Sequence, residues 1–263
     1  MSLSEFDVSG QKVLIVGAGR GIGKGIALAF SEAGAEVAIA SLTSATTMKV
    51  AEEITAMGGK ALPVTGDATK AEGMDKITSQ VLTEFGHLDT LVTCVGDSIR
   101  KPVVQLPGSL DEGMTEDDWN NVVSINLTEA FQGCRSVGPH LLSRGQGSVI
   151  NISGWASFRG RPGYSAYDAS KAGIMRFTET VSQEWAPFGV RVNAVAPGSF
   201  PDPEQMSTDA YKSRQEDAGI RVPLGRVGRL KEPGYPCVFL ASPAASYITG
   251  QTWAVDGGIS IKH

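Results

Sequence analysis

The 263-residue sequence predicts an α/β fold: a doubly wound parallel sheet of about seven strands, with helices on both faces, in one domain spanning 1–263. Three observations predict it. Short apolar runs alternate with longer helical patterns, as a parallel sheet covered on both faces requires. The first apolar run leads through a glycine-rich turn into a helix. No Pro/Ser-rich linker, charge run, low-complexity tract or repeat marks a boundary, and 41% hydrophobic residues are ample for one core.

The elements follow in order. Lys12-Val-Leu-Ile-Val16 reads as a buried strand and runs into Gly17-Ala-Gly-Arg-Gly-Ile-Gly23, followed by a helix over Lys24–Ala33 that stops at Gly34. Glu36–Ser41 is the second strand, with a helix from about Ala45 to Met57. Ala61–Thr65 is the third, followed by Gly66-Asp67 and a helix to about Phe85. Leu88–Cys94 is the fourth, and a long helix starts at Thr115, where Thr115-Glu-Asp-Asp118 resembles a capping box. Gly147–Ser153 is the fifth strand and leads toward a helix bearing Tyr167 and Lys171; Val190–Ala196 is the sixth. A loop-rich stretch over 197–225, on the substrate side, breaks the alternation before a short helix near Pro236–Ala241 and a last strand over Thr252–Asp256.

Two features carry chemistry. Strand, glycine turn and helix in succession form the context of a dinucleotide site: glycines allow close approach of backbone to a pyrophosphate, and the helix N-terminus offers amide donors and a positive dipole end. Tyr167 and Lys171, four residues apart in Tyr164-Ser-Ala-Tyr-Asp-Ala-Ser-Lys171, share one helix face. A fixed positive charge beside a phenol lowers its pKa, which suits the tyrosine to exchange a proton with an alcohol near neutral pH. Ligands of such a sheet bind outside the carboxyl ends of its strands, where the glycine turn and the segment after strand five both lie.

Bulk properties narrow the partners. A net charge of −5 argues against nucleic acid or an anionic membrane, and no apolar stretch reaches transmembrane length. The three cysteines, Cys94, Cys134 and Cys237, are widely spaced, form no metal-ligand pattern and fit structural thiols in a cytoplasmic protein.

The chain resembles the short-chain dehydrogenase/reductase family over about Gly10 to Ile259, in Gly17–Gly23, Gly66-Asp67, Ser124-Ile-Asn-Leu127, Tyr167/Lys171, Asn193-Ala-Val-Ala-Pro-Gly198, Ile248–Gln251 and Val255–Gly258. The resemblance implies a Rossmann-like fold and a hydride passed between a nicotinamide and a small alcohol/carbonyl substrate. It implies Tyr167 as acid/base, Lys171 as holder of the nicotinamide ribose, and Asn126 as anchor of a water in the proton relay. Gly17, Gly19, Arg20, Gly21, Ile22, Gly23, Ser41, Asp67, Ala68, Gly96, Pro197 and Gly198 are the expected cofactor contacts, with Tyr167 and Lys171, and Asp67 meets the adenine. A homotetramer or dimer is implied too, with the long helices beginning near Thr115 and Tyr164 at one interface and the C-terminal segment at another.

The sequence also departs from that family. Its usual serine thirteen positions before the tyrosine is Gly154 here; Ser153, Ser157 or a water are the candidates to replace its hydroxyl. Thr93-Cys-Val-Gly96 stands where Asn-Asn-Ala-Gly is common, and Ser199-Phe-Pro-Asp202 offers only Ser199 where a threonine often binds the carboxamide. The segment from Gly96 to Trp119 is several residues long for the family. At the end of strand two stands Ser41, with no acid until Glu52, and Arg20 lies in the glycine loop; hydroxyls with an arginine favour NADP over the alternative, NAD. Trp155, Phe158 and Phe200 with Arg159 and Arg161 suggest an apolar slot with a cationic rim, suited to an acidic or phenolic carbonyl compound. The competing assignment is a catalytically weak dinucleotide-binding sensor or structural subunit; within enzymes, epimerisation or imine or enoyl reduction stays open.

Overall fold

In the computed structural model, which describes residues 4–262, seven parallel strands form one sheet: β1 (Lys12–Val16), β2 (Glu36–Ser41), β3 (Lys60–Thr65), β4 (Thr90–Thr93), β5 (Gly147–Ile152), β6 (Val190–Pro197) and β7 (Thr252–Val255). Their order is β3-β2-β1-β4-β5-β6-β7. Val13 sits opposite Val37 of β2 on one side and Thr90 of β4 on the other, so β1 is central. The winding reverses between β1 and β4, and the crevice beyond their carboxyl ends is the topological switch point where such sheets take ligands.

Among the described residues eight α-helices accompany the sheet: α1 (Gly21–Glu32), α2 (Ser44–Ala56), α3 (Ala71–Phe85), α4 (Glu116–Val123), α5 (Glu129–Arg144), α6 (Ser165–Trp185), α7 (Thr208–Arg221) and α8 (Gly234–Ala241). Alternation along β1 divides the core. Val13 and Ile15 pack with Ile26 and Phe30 of α1, Ile54 of α2 and Leu240 of α8. Leu14 and Val16 pack on the opposite face with Ile77 of α3 and Val137 and Leu141 of α5. Both clusters are nearly dry, and truncating one of these aliphatic chains to alanine costs about 2–5 kcal/mol. A buried polar ladder ties α6 to the sheet: Thr93 donates to Asn151 Oδ1 at 2.8 Å, and Asn151 Nδ2 donates to Thr178 Oγ1 at 3.0 Å. That ladder fixes the helix that bears Tyr167.

The expected capping box is present, with Thr115 Oγ1 accepting from the Asp118 amide at 3.0 Å and Asp118 Oδ2 accepting from the Thr115 amide at 3.1 Å. Several boundaries differ from expectation, most by one or two residues. Helix α1 starts at Gly21, three residues before Lys24, and β4 is only Thr90–Thr93. The stretch over 197–225 is not all loop, because Thr208–Arg221 is a helix with Ser207 Oγ accepting from the Ala210 amide. Only Ala218 of that helix is buried, so no apolar periodicity announces it. Among the described residues no helix is long and apolar enough to cross a membrane.

Candidate active site

Helix α6 begins at Ser165, which places Tyr167 in its first turn and Lys171 one turn on. Lys171 is 3% exposed, lies with its Nζ 5.7 Å from the centre of the Tyr167 ring, and donates to the Ile152 carbonyl at 3.1 Å. Burial lowers Lys171 to about 8, partly offset by Cys94 and Glu129. Tyr167 runs against expectation. Burial raises the phenol, and the cation opposing that rise is Arg161, with Asp168 raising it further. The i,i+4 spacing identified one cationic neighbour; a second comes from the loop before α6, with the Arg161 guanidinium 5.5 Å from the Tyr167 ring.

Asn126 sits in a π-helical turn, Ser124–Thr128, between α4 and α5. Its Nδ2 donates to the carbonyls of Asp97 and Val122 at 2.7 and 2.8 Å, while its buried Oδ1 has no partner among the described residues. A Cβ on Gly96 would lie 3.1 Å from that oxygen and 3.3 Å from Lys171 Nζ, so both groups converge on the Gly96 backbone. An orphaned acceptor beside an ammonium is the donor–acceptor pair that a bridging water needs. Glu129, three residues past Asn126, is also buried with Oε1 unpartnered, and burial pushes its carboxyl well above the usual range against the pull of Lys171.

Gly154 faces the phenol. A Cβ there would meet Tyr167 Oη at 3.7 Å, an ordinary contact, in extended backbone (φ 175°) that any residue adopts. Neither neighbouring serine fills the gap. Ser153, expected as a substitute, is buried and its hydroxyl donates to the Val195 carbonyl at 3.3 Å. Successive residues leaving a strand face opposite ways, which explains why Ser153 faces β6 and Gly154 the phenol. Ser157 donates to the Lys171 carbonyl at 2.8 Å.

The crevice between β1 and β4 is shaped for a dinucleotide. Gly17 has φ +87°, and a Cβ there would lie 2.7 Å from the Cys94 carbonyl; a Cβ on Gly23 would lie 2.2 Å from Gly17 O. Side chains at either position would close the turn. At the end of β2, Ser41, Thr43 and Thr46 form a hydroxyl cluster joined by two 2.8 Å hydrogen bonds; a Cβ on Gly19 would meet Thr46 and Ser41 of it, and the next residue, Arg20, is exposed. Asp67 Oδ1 accepts from the Thr69 amide and hydroxyl, holding the turn that bears Ala68 after β3. These residues fit a nicotinamide dinucleotide. One contact was not foreseen: Asp202, 8% exposed, accepts the Gly21 amide at 2.9 Å, and Glu204 pairs with Lys24 and Lys49. A carboxylate thus sits on a backbone donor at the N-terminus of α1.

On the substrate side, the Arg161 guanidinium lies 4.8 Å from the Trp155 ring and 4.3 Å from Tyr164, while Asp168 holds it through Nε at 3.1 Å and Nη2 at 2.5 Å. Phe200 lies apart from this group: its ring packs on Gly228 and lines a smaller adjoining cavity with Leu224 and Arg226. Pro197 ends β6 and Gly198, whose amide donates to Val255 O at 2.9 Å, lines the larger cavity with Trp155 and Arg161.

Comparison with known proteins agrees with this geometry. The sequence model of the family described as enoyl-(acyl carrier protein) reductase matches residues 17–260. The chain is 33% identical to 2-dehydro-3-deoxy-D-gluconate 5-dehydrogenase of Escherichia coli (strain K12), over 98% of each chain. It is 37% identical to a 3-oxoacyl-(acyl-carrier-protein) reductase of Synechocystis sp., over 96% of this chain and 98% of the relative. Its fold superposes with a TM-score of 0.89, at 28% identity and full coverage of both chains, on a gluconate 5-dehydrogenase from Burkholderia cenocepacia J2315 solved with NADP and tartrate. With a crevice at the switch point and Lys171 and Asn126 converging on Gly96 after β4, the chain belongs to the short-chain dehydrogenase/reductase family of oxidoreductases.

Proposed function

We propose that the chain moves a hydride between NADP(H) and a small alcohol/carbonyl substrate, with Tyr167 as the acid/base. The observation that carries this reading is the convergence of Lys171 Nζ and the orphaned Asn126 Oδ1 on Gly96, with Lys171 also beneath the Tyr167 ring. The bound nicotinamide supplies the hydride. The residues of the chain handle the proton: in reduction, Tyr167 Oη protonates the oxygen of the former carbonyl, leaving a phenolate that Lys171 and Arg161 stabilise. A water between Lys171 Nζ and Asn126 Oδ1 then returns a proton toward Tyr167. In oxidation the same groups run in reverse.

The glycine turn holds the pyrophosphate, Asp67 and Ala68 lie at the adenine, and Ser41 with Arg20 meets the ribose phosphate. The absence of a carboxylate in the Ser41/Thr43/Thr46 cluster supports NADP over NAD, since an acid there would repel a 2′-phosphate. The Burkholderia enzyme with NADP supports the same preference. The chain acts as a homo-oligomer, tetramer or dimer, a reading supported by half-exposed Trp119 and Phe131 on the α4–α5 arm and by exposed Tyr247 and Ile261 toward the C-terminus.

Nicotinamide absorbance during incubation with NADPH or NADH and a panel of carbonyl compounds tests this. Turnover that Tyr167→Phe abolishes, and that is faster with NADPH, is the expected result. Gly154, which leaves no hydroxyl beside the phenol, favours a second reading, a dinucleotide-binding sensor; tight NADPH binding without turnover across the panel would establish it instead.

A further inference from the structure

A cavity of about 950 Å³ opens beside Gly198, Trp155 and Tyr164 and runs out to α7. Arg100, Arg159, Arg161, Arg214, Arg221 and Lys262 line it, against a single acidic lining residue, Asp217. These are six of the 23 basic side chains of a protein whose net charge is −5, so the positive charge is segregated rather than spread. Two are compensated: Arg161 by Asp168, and Arg221 by Asp217 at 3.5 Å. Among the described residues no Asp or Glu pairs with Arg100, Arg159, Arg214 or Lys262. Arg159 is held by the carbonyls of Ile259 and Lys262, and Lys262 by the carbonyl of Ile220; these bonds fix the side chains without cancelling their charge.

Uncompensated cations gathered around a concave, partly apolar wall repel one another and focus a positive field into the cavity, and an anion relieves both. The geometry also has a direction. At the inner end are Gly198 and Ser199 and, one residue before Trp155, Gly154 against the Tyr167 hydroxyl. At the outer end is Arg214 on α7, an exposed helix with little packing to hold it for its own sake. Arg161, locked by Asp168 and stacked between Trp155 and Tyr164, lines the same cavity.

We propose that this cavity is an anion-reading subsite, with Arg100, Arg159 and Arg214 binding an oxyanion group, carboxylate or phosphate, carried by the substrate remote from its reacting carbon. The proposal rests on the reading of Tyr167 as the reacting centre, and it moves the recognition role from Arg161, the residue the sequence points to, to the unpaired arginines around it.

Two measurements test it. The first compares kcat/KM for matched pairs: a keto acid against its methyl ester, and a phosphate-bearing ketone against the free hydroxyketone. The charged member of at least one pair is expected to be preferred about tenfold to a hundredfold, with the preference lost through KM in Arg214→Ala and partly restored in Arg214→Lys. Whichever pair shows the effect identifies the anion. Equal kcat/KM within both pairs, or a loss in Arg214→Ala that is the same for charged and neutral members, overturns the proposal. The second is independent of turnover: succinate and inorganic phosphate are titrated into the Tyr167→Phe protein with NADP⁺ while Trp155 fluorescence is followed, with Trp155→Phe as the signal control. Saturable quenching that Arg214→Ala abolishes supports the subsite even if no carbonyl compound turns over; absence of quenching by either anion overturns it. A protein that binds the anions but reduces nothing would leave the subsite standing and remove the reductase reading.

Discussion

Gly154 is the residue at which this chain differs most consequentially from its family, and the structure makes the difference testable. The backbone is extended there, a Cβ meets the Tyr167 hydroxyl at 3.7 Å, and no neighbouring serine is free to replace the missing donor. Gly154→Ser should therefore fold unchanged and raise turnover, since a hydrogen bond aimed at developing charge is worth up to about 10²–10³-fold. A gain of about tenfold or more in single-turnover reduction is the expected outcome; an unchanged rate would mean that substrate or water already supplies the donor. The titrating groups give a second residue-scale prediction. Burial raises Tyr167, so the phenol stays protonated throughout neutral pH, as the proposed role of general acid requires. Burial lowers Lys171 to about 8, so its charge is present below that pH and lost above it. For reduction, kcat/KM of the free enzyme should be flat from about pH 6 to 7.5 and fall as pH rises through about 8. A profile level to pH 10 would show that Lys171 does not titrate there. The Tyr/Lys pair was legible because helical periodicity alone dictates it. The contribution of Arg161 was not, because it depends on a loop folding back to meet Asp168 and three aromatic rings.

At the scale of elements, what could be read was what periodicity and turn chemistry determine. The strand–glycine turn–helix unit, the Thr115 capping box and all seven strands follow from local pattern. Helix α7 was hidden because thirteen of its fourteen residues escape burial, and the cavity-lining residues Arg214 and Arg221 were hidden with it. The segment from Asp202 to Gln205 was equally silent, since its function depends on a contact 181 residues away in sequence. It clamps the start of α1: Asp202 takes the Gly21 amide, Glu204 takes Lys24 and Lys49, and Gln205 accepts from Arg20. A pyrophosphate seeks the same amide and helix dipole with more charge, and a carboxylate already there both competes and repels. Asp202→Asn keeps the shape and removes the charge, so NADPH should bind about tenfold more tightly, equivalent to about 1.4 kcal/mol. Calorimetric titration of the two proteins checks it without any turnover. A weaker or equal affinity would mean that Asp202 swings clear and contributes nothing to the bound state.

Polar and apolar surface are segregated over the molecule. The ligand edge of the sheet gathers cations around its large cavity, whereas the α5–α6 flank presents aromatic surface. There Phe131, 47% exposed, stands edge-on to Phe177 with ring centres 6.5 Å apart, and Trp119 is 41% exposed on the preceding helix. An aromatic pair is worth about 0.5–1.5 kcal/mol beyond its buried area, yet on an isolated chain one face of this pair meets water. Two copies of the chain related by a twofold axis along that flank would bury Phe131 against its own counterpart, because such an interface is self-complementary. An oligomer assembled this way would hold the α4–α5 junction and the start of α6, and with them Asn126 and Tyr167. Phe131→Glu places two carboxylates in the interface centre, where unpaired charge is costly to desolvate, and touches neither crevice nor cavity. Sedimentation velocity should show the wild-type chain as a dimer or tetramer and the variant as a smaller species at the same concentration. NADPH affinity should survive in the variant while turnover falls, because the crevice belongs to one chain and the positioning of Tyr167 is shared. An unchanged sedimentation coefficient would place the interface elsewhere, leaving Tyr247 and Ile261 near the C-terminus as the surface to alter next.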